Sequence, residues 1–521
     1  MTTTLKSYLN GKWVEGAGSP ATLVNPSTEE TVATASTAGL DFAGAARFAR
    51  EKGGAALREL TFAQRGEILR KLAKLVIDAR EELIAIGIAN AGNTRSDAKF
   101  DIDGASGTLN FYADLGASLG DRKLLADGDG VPMGRSARLY GQHVLVPRTG
   151  VAVHINAFNF PAWGMGEKLA VALLAGMPVI SKPATSTAHM AWRIAELWAN
   201  SGVLPEGAFS FVCGSTGDLL SHLGPQDVLA FTGSSDTALM LRRQENLLKD
   251  SVHVNVEADS LNSALLGPDA SAGTETWNMF LTDVVKEMTQ KTGQKCTAIR
   301  RIYVPSDKLD EVRDELVARL KDVRVGNPAD DKVTMGPVAT AQQLRDVRAG
   351  IDKISAGAEV ACGGSKPVEG LGKGFFVAPT LLVRKNPKVD DVTNKHEVFG
   401  PVATLMPYTS ARELVPLVAA GGGGLVSSVY SDDKAWLNET VGGIAPWFGR
   451  LTISGEKVAG QTIPPGTVMP NMLHGGPGRA GGGEELGGLR GLSLYMQRVA
   501  LQGPRPYVEA FAGVKSAPSG S

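Results

Sequence analysis

Cys296 is the residue best suited to covalent chemistry in this chain, because of the residues around it. It lies in "KTGQKCTAIRR", residues 291–301, with Lys295 before it and Arg300 and Arg301 after it. Neighbouring cations favour the thiolate, which is the nucleophilic form of a cysteine. A lone cysteine is nevertheless more often a small buried hydrophobic residue. The local sequence therefore favours a nucleophile at Cys296 without deciding the matter.

The other two cysteines have no such cluster of neighbouring Lys and Arg residues. Cys213 lies in the apolar run "FSFVCG", which predicts a buried side chain, and Cys362 lies beside a turn in "VACGGS". Three widely spaced cysteines form neither a disulfide framework nor a zinc pattern. This usage is typical of a reducing compartment, so we expect a cytoplasmic protein.

Glu257 is a second candidate, because it follows the alternating apolar run "VHVNV" directly. That run predicts a strand, and ligands of parallel α/β sheets bind beyond the carboxyl ends of the strands. A solvated glutamate at a strand end is the simpler alternative on this evidence alone.

Two further motifs suit a nucleotide. Lys182 in "SKPATS" follows a buried-type strand, where its ammonium could meet a ribose hydroxyl or a phosphate. The turn "FTGSSDTA" leads into a helix whose N-terminal N–H groups would attract phosphate. The turn is weak evidence, because the dinucleotide fingerprint G-x-G-x-x-G is absent.

None of the seven histidines forms a metal-binding or triad pattern, so no metal site is predicted. His154, His189 and His253 fall in or beside predicted elements, which indicates structural roles. His396 and His474 lie in charged or glycine-rich loops and could line a pocket.

These residues must be positioned by a parallel α/β arrangement. Short apolar runs from residue 150 onwards ("VAVHIN", "PVISKP", "FSFVCG", "VLAFTG") alternate with helical segments that begin near Met165, Ala188, Thr216 and Asp236. This alternation predicts βαβ units. Before it, "TFAQRGEILRKLAKLVIDAREELIAIGI" has helical periodicity with Thr61 as its N-cap. A second α/β region follows residue 260, and residues 454–491 are too rich in Gly and Pro for long regular elements.

The length and net charge of the chain argue against several classes of protein. A chain of 521 residues exceeds the size of a single core, so at least two domains are expected. The formal net charge of −1 gives no reason to expect nucleic acid or an anionic membrane as a partner. No apolar run is long enough to span a membrane, and "MTTTLKSYLNGKW" does not resemble a signal peptide.

Five motifs together resemble the aldehyde dehydrogenase superfamily, in its order and approximate spacing, from about Tyr8 to Gly503. "AFNFP" resembles the family's Pro-Trp-Asn-Phe-Pro, and "SKPATS" its Lys-Pro motif. "FTGS" matches its Phe-Thr-Gly-Ser turn, "GQKC" its Gly-Gln-x-Cys, and "HEVFGPV" its Glu-x-Phe-Gly-Pro-Val. The resemblance implies an α/β fold with a Rossmann-like cofactor domain, an α/β catalytic domain and a β oligomerisation arm.

The resemblance also implies catalytic roles. Cys296 would attack the aldehyde as a thiolate, and the side chain of Asn159 with the Cys296 N–H would stabilise the oxyanion. Hydride transfer to a nicotinamide would leave a thioester, and Glu257 would activate the water that releases the carboxylic acid.

It implies a cofactor site as well. Lys182 and Glu397 would bind the two riboses, Gly233 and Ser234 would lie by the pyrophosphate, and Phe399 by the nicotinamide. Members that prefer NAD often carry a glutamate three residues after the lysine, and here that position is Thr185. A neutral hydroxyl tolerates a 2′-phosphate, so NADP is predicted, with NAD less favoured.

The chain departs from the family's pattern in places. The usual Glu-Leu-Gly-Gly-Lys is "EADSLN", and Ala238 replaces the last glycine of the helix turn. Ala157-Phe158 replaces the usual Pro-Trp, and Thr289-Gln290 an aromatic pair before the nucleophile. The substrate tunnel is therefore expected to be more polar or wider than in relatives that oxidise simple aldehydes.

The segment "MLHGGPGRAGGGEELGGLRGLSLYMQRVALQG" resembles a branch of the family that oxidises CoA-linked semialdehydes in the catabolism of benzoate and other aromatic compounds. The expected substrate is a semialdehyde with CoA at its far end. A CoA-acylating dehydrogenase is the alternative within the enzymes, although such enzymes generally lack the basic glutamate. A non-catalytic binding protein on the same scaffold is the alternative outside them. Roles for Glu484 and Glu485 are not predicted.

By the same resemblance, the hairpin "SARLYGQHVLV" and the strand "MQRVALQG" would form a dimerisation arm, so a homodimer is expected. The expected divisions are residues 1–129 and 149–258 for the dinucleotide-binding domain, 259–475 for the catalytic domain, 130–148 and 476–513 for the arm and C-terminal segment, and 514–521 for a tail.

Overall fold

A seven-stranded sheet, the first sheet, carries the predicted cofactor motifs. The computed structural model describes residues 3–514, so the predicted tail lies outside them apart from residue 514. Five strands of the first sheet are parallel neighbours and two N-terminal strands add to one edge in antiparallel fashion. The spatial order is His253–Glu257, Val228–Thr232, Ala152–Ile155, Val179–Lys182, Phe209–Phe211, Ser7–Leu9 and Lys12–Val14.

The five parallel strands confirm the five apolar runs of the sequence. Most of their residues are buried because helices cover both faces of a sheet of this kind. The covering helices begin close to three of the predicted starts, at Trp163–Ala175, Ala188–Ala199 and Ser235–Arg242, and Glu245–Lys249 follows. Cys213 is fully buried beside these strands, as predicted.

The predicted helix near Thr216 is wrong. Only a short 3₁₀ turn, Leu219–His222, forms there. Gly217 has φ +52° and so departs from helical geometry, and Gly224-Pro225 follows the turn immediately. The segment has too few residues between these positions for a stable helix.

Long helices precede the first sheet. The predicted helix after Thr61 is present as two helices, Phe62–Asp78 and Arg80–Ala91, interrupted at Ala79. Thr61 caps the first of them in a capping box with Gln64, which confirms the predicted N-cap. The other elements of this region are the helices Phe42–Phe48, Ala49–Gly54 (a π-helix), Ala55–Glu59 and Arg95–Leu119, and a small sheet of Thr3–Leu5, Thr31–Ala35 and Ala21–Val24.

A second seven-stranded sheet is built from residues after 260. All its neighbouring strands are parallel except one edge strand, Glu359–Cys362. In spatial order the strands are Glu359–Cys362, Thr380–Val383, Val402–Tyr408, Arg301–Pro305, Ser263–Leu266, Gly424–Tyr430 and Phe448–Ser454. Its helices are Glu275–Thr289, Leu309–Lys321, Ala341–Ser355, Ala411–Ala419 and Lys434–Ile444.

A separate three-stranded antiparallel sheet, the arm sheet, joins distant parts of the chain. Leu139–Pro147 lies in its centre and pairs with Leu125–Pro132 and with Met496–Pro504. The predicted hairpin is therefore formed, and the predicted C-terminal strand completes it. The helices Leu489–Tyr495 and Arg505–Ala512 flank the last strand.

The glycine-rich stretch is mostly irregular, as expected. Its main regular feature is a two-stranded pair, Leu473–Gly475 with Glu484–Leu486. Among the helices of residues 3–514, none combines the length and the apolar character needed to cross a bilayer.

Candidate active site

The nucleophile candidate lies where the two large sheets meet. Cys296 follows a 3₁₀ turn, Gln290–Gly293, and precedes the second-sheet strand Arg301–Pro305. Gly293 has φ +65°, and a Cβ there would lie 2.2 Å from the carbonyl oxygen of Gly400. The turn can therefore pack this closely only with glycine, which explains the glycine of the "GQKC" motif.

Glu257 and His474 lie beside the sulfur of Cys296. Glu257 ends the edge strand of the first sheet, and His474 belongs to the short strand Leu473–Gly475. His474 Nε2 is 3.1 Å from Glu257 Oε2 and 4.0 Å from Cys296 Sγ. The side chains of Glu257 and His474 are both buried, whereas Cys296 is partly accessible.

Glu257 and His474 each shift the pKa of the other towards the charged form. Burial by itself would raise the pKa of Glu257, but His474 and Lys168 outweigh it and hold that pKa at about 2. Burial would lower the pKa of His474, yet the Glu257 carboxylate raises it above its ordinary value. The two side chains therefore form a buried carboxylate–imidazolium pair.

The predicted activation of Cys296 by neighbouring cations is wrong. Burial, and next the Glu257 carboxylate, raise the pKa of the thiol well above its ordinary value. Lys295 Nζ pairs instead with Glu287 Oε2 at 2.7 Å, and Arg300 Nε with Glu397 Oε1 at 3.2 Å. Arg301 donates mainly to main-chain carbonyls in the core.

Asn262 fixes the main chain of the nucleophile loop. Its Nδ2 donates to the carbonyl oxygens of Cys296, at 2.7 Å, and Ala298, at 2.9 Å. Its Oδ1 accepts from the amides of Leu425 and Val426. The buried amide of Asn262 therefore links the nucleophile loop to the neighbouring strand Gly424–Tyr430. Asn262 is the last residue of the "EADSLN" stretch.

A large cavity runs past Cys296 along the ends of the first-sheet strands. It has a volume of about 590 Å³ and contains both Cys296 and Glu257 in its wall. Six of the predicted residues line it together with them: Asn159, Lys182, Gly233, Ser234, Glu397 and Phe399. Ser234 also caps the helix Ser235–Arg242 through the Thr237 amide.

The structure does not bring Thr185 to this cavity. Its hydroxyl donates to the carbonyl oxygen of Gly214 at 3.0 Å, and Ala184 forms the cavity wall instead. The Thr185 hydroxyl is therefore not free to donate a hydrogen bond to a phosphate. Its side chain is neutral, however, and so would not repel one.

The sequence reasoning missed two cations of this cavity, Lys395 and Arg479. Arg479 Nη2 donates to the carbonyl oxygen of Lys395 at 2.8 Å, while its Nη1 is buried without a hydrogen-bond partner among the described residues. A buried unpaired guanidinium nitrogen in a cavity wall fits an anionic group such as a diphosphate. His396, which was expected to line a pocket, lines the same cavity.

A second, narrower cavity of about 40 Å³ lies on the other side of Cys296. Phe100, Phe160 and Trp163 contact one another edge to face in its wall, and Glu167 and Lys168 line it as well. The expected difference from relatives in polarity or width stays a prediction.

Glu167 and Lys168 belong to a buried charged group behind the nucleophile. Lys168 Nζ lies 3.0 Å from Glu485 Oε2 and 3.4 Å from Glu167 Oε1. Asn255 Nδ2 donates to Glu485 Oε1 at 3.0 Å. Two carboxylates thus share one ammonium, and burial raises the pKa of Glu167 to about 7. Glu485 could not be placed from sequence, because only the fold brings it to Lys168.

The comparisons with known proteins agree with these features. Residues 13–498 match the model of the aldehyde dehydrogenase family. The chain belongs to the aldehyde dehydrogenase family. It is 45% identical over 477 residues, 91% of this chain and 93% of the relative, to the 3,4-dehydroadipyl-CoA semialdehyde dehydrogenase of Aromatoleum evansii.

Solved structures of the family share the fold. The NAD⁺ complex of an aldehyde dehydrogenase from Bacillus cereus is 25% identical, with a TM-score of 0.83 and 96% of each chain covered. Betaine aldehyde dehydrogenase from Staphylococcus aureus, in complex with NAD⁺, is 24% identical, with a TM-score of 0.83 and 99% of this chain and 97% of the other covered. The enzyme is therefore an NAD(P)-dependent aldehyde dehydrogenase with the predicted α/β fold.

Asn262→Asp is expected to impair the enzyme at the nucleophile loop. The variant keeps the acceptor for the Leu425 and Val426 amides but places a carboxylate oxygen against the carbonyls of Cys296 and Ala298. We expect the free energy of unfolding to fall by about 1–3 kcal/mol, measured by urea denaturation, and kcat/KM to fall at least about tenfold. Ser263→Ala, at the next position, is the control. Wild-type turnover in Asn262→Asp would contradict this role.

Glu167→Gln is expected to change how stability depends on pH. Because the folded-state pKa of Glu167 is raised to about 7, its favourable contribution is complete at low pH and is lost as pH rises through 7. Relative to the wild type, the variant should therefore gain roughly 1–3 kcal/mol of unfolding free energy between pH 5 and pH 8.

Urea denaturation at the two pH values measures this difference. Glu484→Gln is the control, because Glu484 is an exposed carboxylate in the strand of Glu485, the other carboxylate that Lys168 contacts. The difference in unfolding free energy between Glu167→Gln and the wild type could instead be the same at both pH values. That result would show that Glu167 is ionised throughout this range.

Proposed function

We propose that the enzyme oxidises a CoA-linked semialdehyde of the 3,4-dehydroadipyl-CoA type to the carboxylic acid, with NADP, in aromatic-compound catabolism. The observation that supports the chemistry best is the convergence of Cys296, Glu257 and Asn159 between two cavities. The substrate class is supported by the 45% identity to a dehydrogenase of that name.

The cofactor would occupy the 590 Å³ cavity. Lys182 and Glu397 line its wall and would bind ribose hydroxyls, and Phe399, also in the wall, would lie by the nicotinamide. The N-terminus of the helix Ser235–Arg242 and the unpaired Arg479 Nη1 suit the diphosphate. When bound, the nicotinamide supplies the acceptor for the hydride that leaves the substrate carbon.

NADP is proposed over NAD because of the charges near the expected 2′ position. Thr185 carries no carboxylate that would repel a 2′-phosphate, and the nearby ammonium of Lys182 would attract it. The Thr185 hydroxyl is bonded to Gly214, so the preference depends on the absence of a repelling group and not on a new hydrogen bond.

The first chemical step forms a carbon–sulfur bond. The Cys296 thiol gives up its proton to solvent as its sulfur attacks the aldehyde carbon. The oxygen that becomes negative would be held by the side-chain amide of Asn159 and the N–H of Cys296. Loss of hydride from the adduct then leaves a thioester on Cys296.

The second step hydrolyses this thioester. Glu257 would remove a proton from water, which attacks the thioester carbon and returns the thiol of Cys296 with release of the acid. In the arrangement described here His474 holds the pKa of Glu257 at about 2, so the carboxylate is a weak base. We infer that the Glu257–His474 contact opens or loosens before water is activated.

The first sheet, the second sheet and the arm sheet suggest which part of the chain performs which role. We propose residues 1–129 and 149–258 as the cofactor-binding domain, 259–475 as the catalytic domain, and 130–148 with 476–513 as an oligomerisation arm. The arm sheet has open edges at Leu125–Pro132 and Met496–Pro504, and it exposes the apolar side chains of Val131 and Leu139, while the flanking helix Arg505–Ala512 exposes Tyr507. Open strand edges with apolar residues favour pairing with a second chain, so a homodimer is proposed.

Steady-state kinetics with both dinucleotides test the proposed reaction. We expect kcat/KM for a CoA-linked semialdehyde to exceed that for short free aldehydes at least about tenfold, and NADP to exceed NAD. The product should be the free acid. A new CoA thioester, formed only when free CoA is added, would indicate the acylating reaction instead.

Two variants separate the steps of that reaction. Cys296→Ser should abolish turnover, and Glu257→Gln should release about one NADPH per active site and then stop at the thioester. Undiminished turnover of Cys296→Ser would refute the mechanism, and a higher kcat/KM with NAD would refute the cofactor preference.

Light scattering tests the proposed dimer. The wild type should have twice the mass of one chain, and the double variant Val131→Asp/Leu139→Asp should shift towards the monomer because charges would be buried in the interface. Ile77→Asp is the control, since Ile77 is another exposed apolar residue on a helix outside the arm sheet. A wild type of monomer mass would refute the proposal.

A further inference from the structure

Three different donor atoms converge at the nucleophile. Cys296 Sγ, His474 Nε2 and one carboxylate oxygen of Glu257 all lie within 4.8 Å of one another. The residues come from three separate segments, so the convergence is a product of the fold. Nitrogen, sulfur and carboxylate oxygen are the donors that zinc prefers in proteins.

The separations suit a single small ion. Zinc bonds of about 2.0–2.3 Å in tetrahedral geometry place two donors roughly 3.3–3.6 Å apart. The distances here, 3.1 Å from His474 Nε2 to Glu257 Oε2 and 4.0 Å from His474 Nε2 to Cys296 Sγ, lie on either side of that range. Small movements of these side chains would bring both separations into the range that one zinc ion needs.

The orientation of the imidazole distinguishes this cluster from a proton relay. In a nucleophile–histidine–carboxylate triad, the two ring nitrogens serve the two partners separately. Here the same nitrogen, Nε2, faces both Cys296 and Glu257. Three donors aimed at one point form a chelating tripod, in which the ion takes the central position.

We propose that Cys296, His474 and Glu257 form a reversible zinc site that blocks the nucleophile. On binding, zinc bonds form to Cys296 Sγ, His474 Nε2 and a Glu257 oxygen, and the thiol proton and the Nε2 proton of the His474 imidazolium pass to solvent, with no change of oxidation state. Hard cations such as Mg²⁺ and Ca²⁺ are not expected, because they select oxygen donors. With three protein ligands, the fourth position stays open for water.

The cavities provide an entry path and room for that water. Cys296 and Glu257 lie in the walls of both cavities, and His474 lies in the wall of the narrow one. A cavity of about 40 Å³ accommodates an ion with one water. Zinc bound there would occupy the position at which the sulfur meets a carbonyl carbon, so the aldehyde would be excluded until the ion leaves.

Competition with a chromogenic zinc chelator tests the site on the purified full-length enzyme. We expect one zinc per chain. His474→Phe should weaken binding at least about tenfold because one of three ligands is lost. His396→Phe, which alters a histidine that lines the large cavity and not the narrow one, is the matched control and should bind zinc like the wild type.

Cobalt as a spectroscopic substitute gives a readout that does not depend on activity. The wild type should show a thiolate-to-cobalt charge-transfer band that is absent in Cys296→Ser. His474→Gln is a second variant at the same position and should behave like His474→Phe. Aldehyde oxidation should stop when zinc is added and return when EDTA removes it.

Two outcomes would overturn the site. Zinc affinity in His474→Phe and His474→Gln equal to the wild type would show that the thiol binds zinc without the tripod. A cobalt band that persists in Cys296→Ser would place the metal elsewhere. Because chelator competition and the cobalt band do not require turnover, failure of the zinc site and failure of the proposed reaction would be distinguishable.

Discussion

The buried pair of Glu257 and His474 beside one sulfur atom is the interaction on which the rest of the site depends. Each partner is removed from water, and each is kept charged mainly by the other. Such a pair is stable only when both partners are held in place, because an unpaired buried charge is costly. The pair joins an edge strand of the first sheet to the glycine-rich segment beside Cys296.

The main chain around Cys296 is held in place by close packing and by hydrogen bonds. Gly293 allows the preceding turn to pack against Gly400, and the Asn262 amide binds two carbonyls of the loop. Asn262 lies one position beyond the five residues, Glu257 to Leu261, that correspond to the family's Glu-Leu-Gly-Gly-Lys. Its hydrogen bonds connect the Cys296 loop to the strand Gly424–Tyr430.

The substrate side combines aromatic walls with a charged interior. Phe100, Phe160 and Trp163 line the narrow cavity beside Cys296. Behind them Lys168 neutralises Glu485 and Glu167, and it also lowers the pKa of Glu257. Lys168 thus adds to the effect of His474, which keeps the Glu257 carboxylate ionised in a place where burial alone would protonate it.

The sequence by itself determined the elements and the identity of the chemical groups. Strand runs, the Thr61 cap and the residues Cys296, Glu257 and Lys182 are local signals, and local signals depend on periodicity and neighbouring residues. Tertiary structure alone decided which side chains meet. His474 is 178 positions from Cys296, Glu485 is far from Lys168, and the cations next to Cys296 in sequence pair with other carboxylates. Sequence adjacency does not determine where a side chain points, because packing between sheets sets that direction, and so neither the partner of Glu257 nor the raised pKa of the thiol could be predicted.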